Sequence, residues 1–520
     1  MNRIFKAFAA CACTIMVASS CNGFLELYPR TELVESEFYK TEDDMMKALY
    51  AVINESQTRL MEVWAYASLL SDESETGGGI GEGVWKTKWD TFQYNPDNCF
   101  GAYWCGSWWN EWDFGLYNGV TAANLLIDKL EECSLSESFV KPLQAEGKFY
   151  RALFYYYLWM GYEQLPLIKK YLPVDEMYSI RKGSRQEVYE FMLDDLADNV
   201  INSLPDRKET VQGRVCKQAA QLLKAKIILF HRDESKYAEA LDDLKGIIES
   251  NTFSLHPDFS KLWLKEGEWC SESIFDICFA SNNTGEGNGL GRSIGGRNIS
   301  DPRSAEQGGL MEGYGQCTMP STIYNIFKPG DTRREGTVIV YSQEEQKVLD
   351  LVAAGALEAG SEFHVSEEQE NYEGLGHYKY HPRKETYTTG DPLYNYAFSY
   401  RLFRYADVLL LATELEARMG SVSADGQAWF DQIRDRAFQD TEHRITLNGK
   451  GRQEILDILF QERQYEFTDE MQRWFDIMRF DKGTEILGSK GWTEQFRYFP
   501  IDNSEIVYSN GALTQNPAWE

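Results

Sequence analysis

From Thr41 to Leu60 the apolar positions Met45, Leu49, Val52, Ile53 and Leu60 recur at helical spacing. Glu42, Asp43 and Asp44 fill the first turn, where acids favour the helix dipole, so a helix is predicted there. Between 71 and 107 the periodicity stops. Ser71-Asp72-Glu73 is followed by five glycines from Gly77 to Gly83 and then by a run rich in aromatic residues, which predicts a long loop region. Helical spacing returns near Trp109 and passes through Val120, Leu125, Leu126 and Leu130. It recurs from Leu143 to Leu158, where Ala145 and Ala152 stand seven apart and let helices approach closely. Further helices are predicted over 185–200, 214–231 and 236–249, punctuated by Pro166, Pro205 and Gly213.

From 252 to 398 the helical signal fades into Gly-, Asn- and Ser-rich stretches such as Ser281–Gly296, broken by short apolar runs such as Ile274–Ala280. An irregular stretch this long inside a compact protein is usually either functional or misassigned. Helical spacing resumes at Tyr405–Met419, Ala428–Ala437, Glu454–Phe467 and Met471–Phe480, before an extended tail from Phe499 to Glu520. Successive helices joined by short turns, with Ala219, Ala220 and Ala225 at packing positions, point to a helix-hairpin scaffold of tetratricopeptide type. No strict repeat of about 34 residues is legible.

The first residues read as an address. Arg3 and Lys6 precede the apolar run Ala7–Ala18 and the small residues Ser19 and Ser20, which together form a secretory signal over 1–20. Ala18-Ser19-Ser20-Cys21 resembles a bacterial lipobox, which makes Cys21 the first mature residue and the lipidation site. Several acyl chains hold a protein on a membrane where one does not. No later segment is apolar over the roughly 20 residues that a membrane-spanning helix needs.

With 81 acidic against 52 basic residues, the formal charge of −29 repels nucleic acid over the whole surface. Ten cysteines become seven once the signal is removed and Cys21 is acylated, so they do not read as a disulfide framework; Cys99 and Cys105 are the local candidate pair. The chain has no C-x-x-C, and none of its other patterns predicts a metal or a cofactor. His377 and His381 have a metal-like spacing, but Tyr378, Tyr380 and Pro382 predict an extended segment. Gly291-Arg292-Ser293-Ile294-Gly295 fits G-x-S-x-G, yet the stretch Asn282–Gly289 before it does not read as the strand a nucleophile elbow requires. The acids are too numerous to single out a glycosidase pair.

Several segments, in order, carry a family resemblance: CNGFLELYPRTELVESEFYKT (Cys21–Thr41), LQAEGKFYRALFYYYLWMGYEQLPL (Leu143–Leu167), Gly213–Phe230, RYADVLLL (Arg404–Leu411), IRDRA (Ile433–Ala437), QERQYEFTDEMQRWFDIMRF (Gln461–Phe480) and FPIDNSEIVYSNGALTQ (Phe499–Gln515). In these the chain resembles the SusD/RagB family of outer-membrane nutrient-binding lipoproteins. Thr413 and Leu415 depart from the Ala-Glu-Ala more common after the RYADVLLL run, and Ala18 stands where the lipobox more often has Leu. The resemblance implies one mostly helical domain over 21–520. Tetratricopeptide-like helix pairs would form its scaffold, while long irregular loops and a few short strands form a ligand face. Along the chain this gives an N-terminal scaffold over 39–250 with a binding loop at 71–108, the ligand-face segment at 252–400, and C-terminal helices and tail at 401–520. It also implies capture of oligosaccharides as a lid on a TonB-dependent, SusC-like transporter, on the exterior of the outer membrane and without catalysis. A glycoside hydrolase, or a peptide- or glycopeptide-binding member of the family, are the alternatives.

Glu462, Arg463, Arg473 and Asp476, with Arg404 and Asp407, are expected in ion pairs between helices. A sugar site needs flat aromatic platforms beside hydrogen-bonding polar groups. Residues 72–108 supply both: Asp72, Trp85, Trp89, Tyr94, Asn98, Tyr103, Trp104 and Trp108. The second irregular segment adds Arg292, Arg297, Asn298 and Tyr314. Trp109, Trp112 and Tyr117 run into a helix and are assigned to the core.

Overall fold

The chain is mostly helical, with a few short strands. The computed structural model describes residues 38–99, 115–173, 176, 180–280, 287–391, 393 and 395–520, with the backbone alone at 61, 62, 65, 66, 84 and 85. Helix α1 (Glu42–Leu69) begins on a reciprocal cap: the Asp44 N–H donates to Thr41 Oγ1 at 3.1 Å, and the Thr41 N–H donates to Asp44 Oδ2 at 3.0 Å. The short α2 (Val84–Asp90) follows. Then α3 (Leu116–Glu132) and α4 (Glu137–Gly161) form a hairpin packed on α1. A Cβ on Gly119 would stand 2.4 Å from the Phe154 ring, so glycine lets these two helices close together. A capping box of Ser184 and Glu187 starts α5 (Arg185–Asp195). The hairpin of α6 (Lys217–His231) and α7 (Tyr237–Glu249) follows.

The scaffold resumes after a long excursion that contains α8 (Tyr341–Ala353). Helix α7 packs against α9 (Tyr405–Met419), and α9 packs in turn on α10 (Ala424–Phe438) and α11 (Arg452–Phe467), with α12 (Arg473–Arg479) beside α1. Among the described residues the strands form two-stranded antiparallel pairs. They are β1 (Glu75–Thr76) with β5 (Cys317–Thr318), β2 (Leu165–Pro166) with β3 (Lys182–Gly183), β4 (Ser273–Ile277) with β8 (Tyr400–Arg404), and β6 (Val338–Val340) with β7 (Leu375–His377). Because β8 runs straight into α9, the β4–β8 pair ties both ends of the excursion to the scaffold. The excursion carries small apolar clusters of its own, one around Ile299, Leu310, Tyr341 and Phe363 and one around Met319, Ile323 and Phe327, while a single large core joins the helices.

Four elements differ from the pattern of the sequence. Helix α2 forms inside the stretch predicted as a loop over 71–107, where burial of Lys86, Trp89 and Asp90 orders one short turn set that no apolar spacing marks. Helix α8 is unsignalled because only Tyr341, Glu344 and Val348 of its residues are buried, too few to mark a face. The stretch predicted as one helix over 185–200 breaks after Asp195 and restarts at Asp198. The tail is not extended throughout, since Asn503–Tyr508 is helical. The helical start near Trp109 lies outside the described residues, as does Cys105, the partner considered for Cys99.

The charged residues of the C-terminal helices form a buried ion-pair lattice. Arg404 reaches three carboxylates, Glu272 at 2.8 Å, Glu466 at 2.6 Å and Glu470 at 2.6 Å. Arg463 bonds Asp407 and Asp476, each at 2.7 Å. Arg333 pairs with Asp331, Glu462 and Glu466, and Lys226 with Asp407. Buried charges persist only when paired and hydrogen-bonded in this way, so the lattice fixes the angles between the helices that carry it.

Candidate functional site

The chain leaves α1 through a loop clamped from behind. Lys490 Nζ donates to the carbonyls of Leu69 at 3.2 Å, Ser71 at 2.7 Å and Ser74 at 3.3 Å. Arg473 grips Asp72 with two bonds, at 2.7 and 2.8 Å. Burial works against ionisation of Asp72, but the Arg473 charge outweighs it and holds the carboxyl below its ordinary value. From this anchored base β1 pairs with β5, which sets the glycine-rich turn Gly77–Gly83 directly against 313–316. A Cβ on Gly77 would come within 2.0 Å of the Gly315 carbonyl oxygen, so only glycine admits this approach.

Three further contacts complete the face. Arg297 holds Glu82 with two bonds of 2.9 Å, the Gly81 N–H donates to Glu370 Oε1 at 3.0 Å, and the Tyr314 N–H donates to the Arg292 carbonyl at 2.6 Å. The Ser366 N–H donates to the Arg297 carbonyl, and Asn371 Nδ2 to the Thr76 carbonyl, so 366–371 borders the same surface. The result is an open patch where the Arg297 guanidinium, the Glu82 and Glu370 carboxylates and the glycine-loop amides meet, with Ile80 projecting from the turn at 78% exposure. Such groups can exchange hydrogen bonds with hydroxyl-rich ligands. The Arg297 bonds, and the Gly79 N–H after them, hold the Glu82 carboxyl below its ordinary value, the reverse of what a glycosidase general acid requires. The acid pushed well upward, Glu73, is raised by burial and by Asp469 and Asp72, and it lies in the interior behind the loop.

The expected site residues separate into distinct places. Arg292 and Tyr314 are adjacent on this face, and Arg297 and Asn298 lie beside them. Asp72 serves the base of the loop through Arg473. Trp89 is fully buried, stacked on Tyr94 at 5.1 Å and edge-on to Phe499 at 5.1 Å, while Tyr94 is covered by Phe496 and Trp519. Neither ring offers a platform here, because together they form the aromatic bed on which the C-terminal tail lies. Asn98 caps a turn, its Oδ1 accepting from the Asn95 N–H at 2.9 Å, next to Asp97, which accepts from Asn503 of the tail. For Trp85 only the backbone, in α2, is described; Tyr103, Trp104 and Trp108 lie outside the described residues. Glu82 and Glu370 were not anticipated. An acid set among the loop glycines was the available signal for Glu82, and none marked Glu370.

Neither enzyme-like motif forms its site. Gly291–Ile294 is itself a helical turn, the described residues just before it hold a single bridge at Asn288 and not a strand, and Ser293 is buried with Oγ 3.4 Å from Gln316 Oε1. His377 lies on β7 between Asp469, at 2.9 Å, and the Cys317 carbonyl, at 3.1 Å, while His381 Nδ1 meets the His377 carbonyl. Among the described residues no three His, Cys, Asp or Glu side chains are grouped to hold a metal, and no helix is long and apolar enough to cross a membrane.

Comparison with known proteins agrees with this architecture. A model of the SusD family matches residues 271–519, and one for starch-binding proteins associating with the outer membrane matches 24–229. A SusD-like protein P2 of Formosa agariphila is 24% identical over 95% of this chain and 96% of its own. Among solved structures, surface glycan-binding protein A from Bacteroides thetaiotaomicron in complex with laminarihexaose superposes with a TM-score of 0.77 at 23% identity, covering 91% of this chain and 99% of that one. The same-named protein from Bacteroides fluxus gives a TM-score of 0.76 at 24% identity, covering 92% and 99%.

Proposed function

The chain belongs to the SusD/RagB family, and from that premise we propose that it is a non-catalytic lipoprotein that captures glycan at the cell surface and delivers it to a TonB-dependent, SusC-like transporter in the outer membrane. The observation that carries this reading is the open face built by Gly77–Gly83, Arg292–Asn298 and Met311–Gln316, on a fold shared with a protein solved in complex with laminarihexaose. Arg292, Arg297 and Glu82 would bond sugar hydroxyls there, Tyr314 would cover a pyranose face, and Trp85, Tyr103, Trp104 and Trp108 would extend the platform. Acyl groups on Cys21 would hold the body on the exterior of the membrane.

Affinity electrophoresis on a glycan panel, with laminarin as a member, tests the reading. Retarded migration on at least one glycan without release of reducing ends is the expected result, whereas release of reducing ends would establish a hydrolase instead. Cys21→Ala should free the folded protein from the membrane in cells lacking the partner. Gentle detergent extraction of the native protein should bring a large β-barrel with it.

A further inference from the structure

Among the described residues, a cavity of about 400 Å³ opens in the helical scaffold, lined by residues of α4, α5, α6 and α12 and by the tail at Arg497 and Tyr498. That volume lies within the range of small-molecule sites. Its charge pattern is uneven. Asp481 is shared by two guanidiniums, Arg232 at 2.6 Å and Arg497 at 3.1 Å, Arg497 is also paired with Glu494, and Arg479 is consumed by Glu414 and Asp476 of the buried lattice. Among the described residues, Arg185 alone of the lining guanidiniums has no carboxylate within ion-pair distance; Glu163 acts on it only at longer range. Its Nη1 donates to the carbonyls of Trp159 at 2.8 Å and Tyr162 at 3.1 Å, and among the described residues Nε and Nη2 have no hydrogen-bond partner. The guanidinium carbon lies over two rings, 4.2 Å from the centre of Trp159 and 4.7 Å from that of Tyr498.

A clamped guanidinium with two vacant donors is a preorganised fork for a planar anion. One uncompensated positive charge matches one negative charge, and the strongly acidic body disfavours a dianion. The rest of the wall suits a sugar. Tyr498 and Phe230 supply rings, and Gln186, whose Oε1 meets His231 at 3.1 Å and whose Nε2 donates to Glu190 at 2.8 Å, supplies an exposed amide whose groups can re-pair with hydroxyls. We infer that this cavity binds the carboxylate of an acidic sugar residue, a hexuronate, with Arg185 as the anion receptor. The site is separate from the loop face, so a neutral glycan held there and a uronate held here would bind independently.

Calorimetric titration of the full-length mature protein with sodium D-glucuronate, D-glucose and sodium sulfate tests the assignment. Glucuronate should bind, and glucose and sulfate should not. Arg185→Gln should weaken glucuronate binding by at least about tenfold, the loss expected when a charged hydrogen-bond partner is removed. Should that variant fail to fold, Gln186→Glu decides. It is nearly isosteric at an exposed position and adds a negative charge to the lining of the same cavity, so it should produce a comparable loss. Arg297→Ala, on the loop face, should leave glucuronate binding intact, which separates failure of this inference from failure of the glycan-capture reading. Equal binding of sulfate, equal binding of glucose, undiminished binding in the Arg185 or Gln186 variants, or no binding at all would each overturn the proposal.

Discussion

Guanidinium–carboxylate pairs occur in two settings in this chain. Arg404 is 1% exposed and meets Glu272, Glu466 and Glu470, none more than 3% exposed, whereas Arg297 meets Glu82, which is 57% exposed. In the interior, removing the charges from water is costly and is offset only when each has its partners in one geometry, so the lattice specifies a single arrangement of helices. On the face, water can replace either partner at little cost, so the pair can open to admit a ligand hydroxyl. The same chemistry therefore gives rigidity in one place and exchangeable contacts in the other, and the first holds the second in position.

The largest effect should come from the interior. Arg404→Met removes one counter-charge from each of three buried carboxylates, leaving Lys379 on Glu470, Arg436 on Glu272, and Arg436 and Arg333 on Glu466, and should lower unfolding free energy by about 3–5 kcal/mol. Urea denaturation measures this; a loss of well under 1 kcal/mol would show that the lattice does not hold the scaffold. Next comes the aromatic bed beneath the tail. Trp89→Ala should cost about 3–5 kcal/mol, the range for emptying a packed Trp site, with glycan affinity of the surviving folded fraction unchanged. A variant that keeps its melting temperature and loses glycan binding would instead make Trp89 a platform.

Acid should act on the interior in the same direction. Burial raises Asp407, Glu466 and Asp476, but the cations facing them outweigh it and hold all three below the ordinary range: Lys226 and Arg463 for Asp407, Arg436 and Arg404 for Glu466, Arg463 and Arg479 for Asp476. A depressed carboxyl contributes stability above its unfolded value of about 4 and loses it as pH falls toward the folded one. Asp195 and Asp276, raised by burial, act oppositely and titrate at higher pH. Melting temperature should therefore change gently from pH 7 to about 4 and fall steeply below. A flat profile to pH 3 would contradict the lattice.

The scaffold was legible because helical spacing and buried small residues are local signals. Ala145, Ala219 and Ala225 do sit in packed helices, and the charged positions on Gln461–Phe480 do pair. The site was legible only by region. Aromatic density at 85–94 reads alike whether the rings face solvent or a chain segment hundreds of residues away, and for Trp89 and Tyr94 the deciding partners, Phe496, Phe499 and Trp519, are at the far end of the sequence. Glu370 reaches the glycine turn across a gap of 289 residues, which no spacing rule bridges.

The smallest effect on stability should come from the face. Arg297→Ala removes a pair that solvent already competes for, so the melting temperature should move by no more than about 2 °C. Glu82→Ala should do as little, and the double variant should be no more than additive, since neither partner is left buried when the other is removed. Binding should respond differently. If Arg297 donates to a sugar hydroxyl, its loss removes a charged donor that water cannot replace within the complex, and affinity for the glycan found by electrophoresis should fall by about tenfold. Glu82→Gln, which frees Arg297 from its partner while keeping the side chain's shape, should leave affinity equal or raise it, because the guanidinium no longer has to exchange a carboxylate for the ligand. A melting temperature that drops as far as that of Arg404→Met would place the pair with the lattice. Unchanged binding in Arg297→Ala would move the contact surface away from this face altogether.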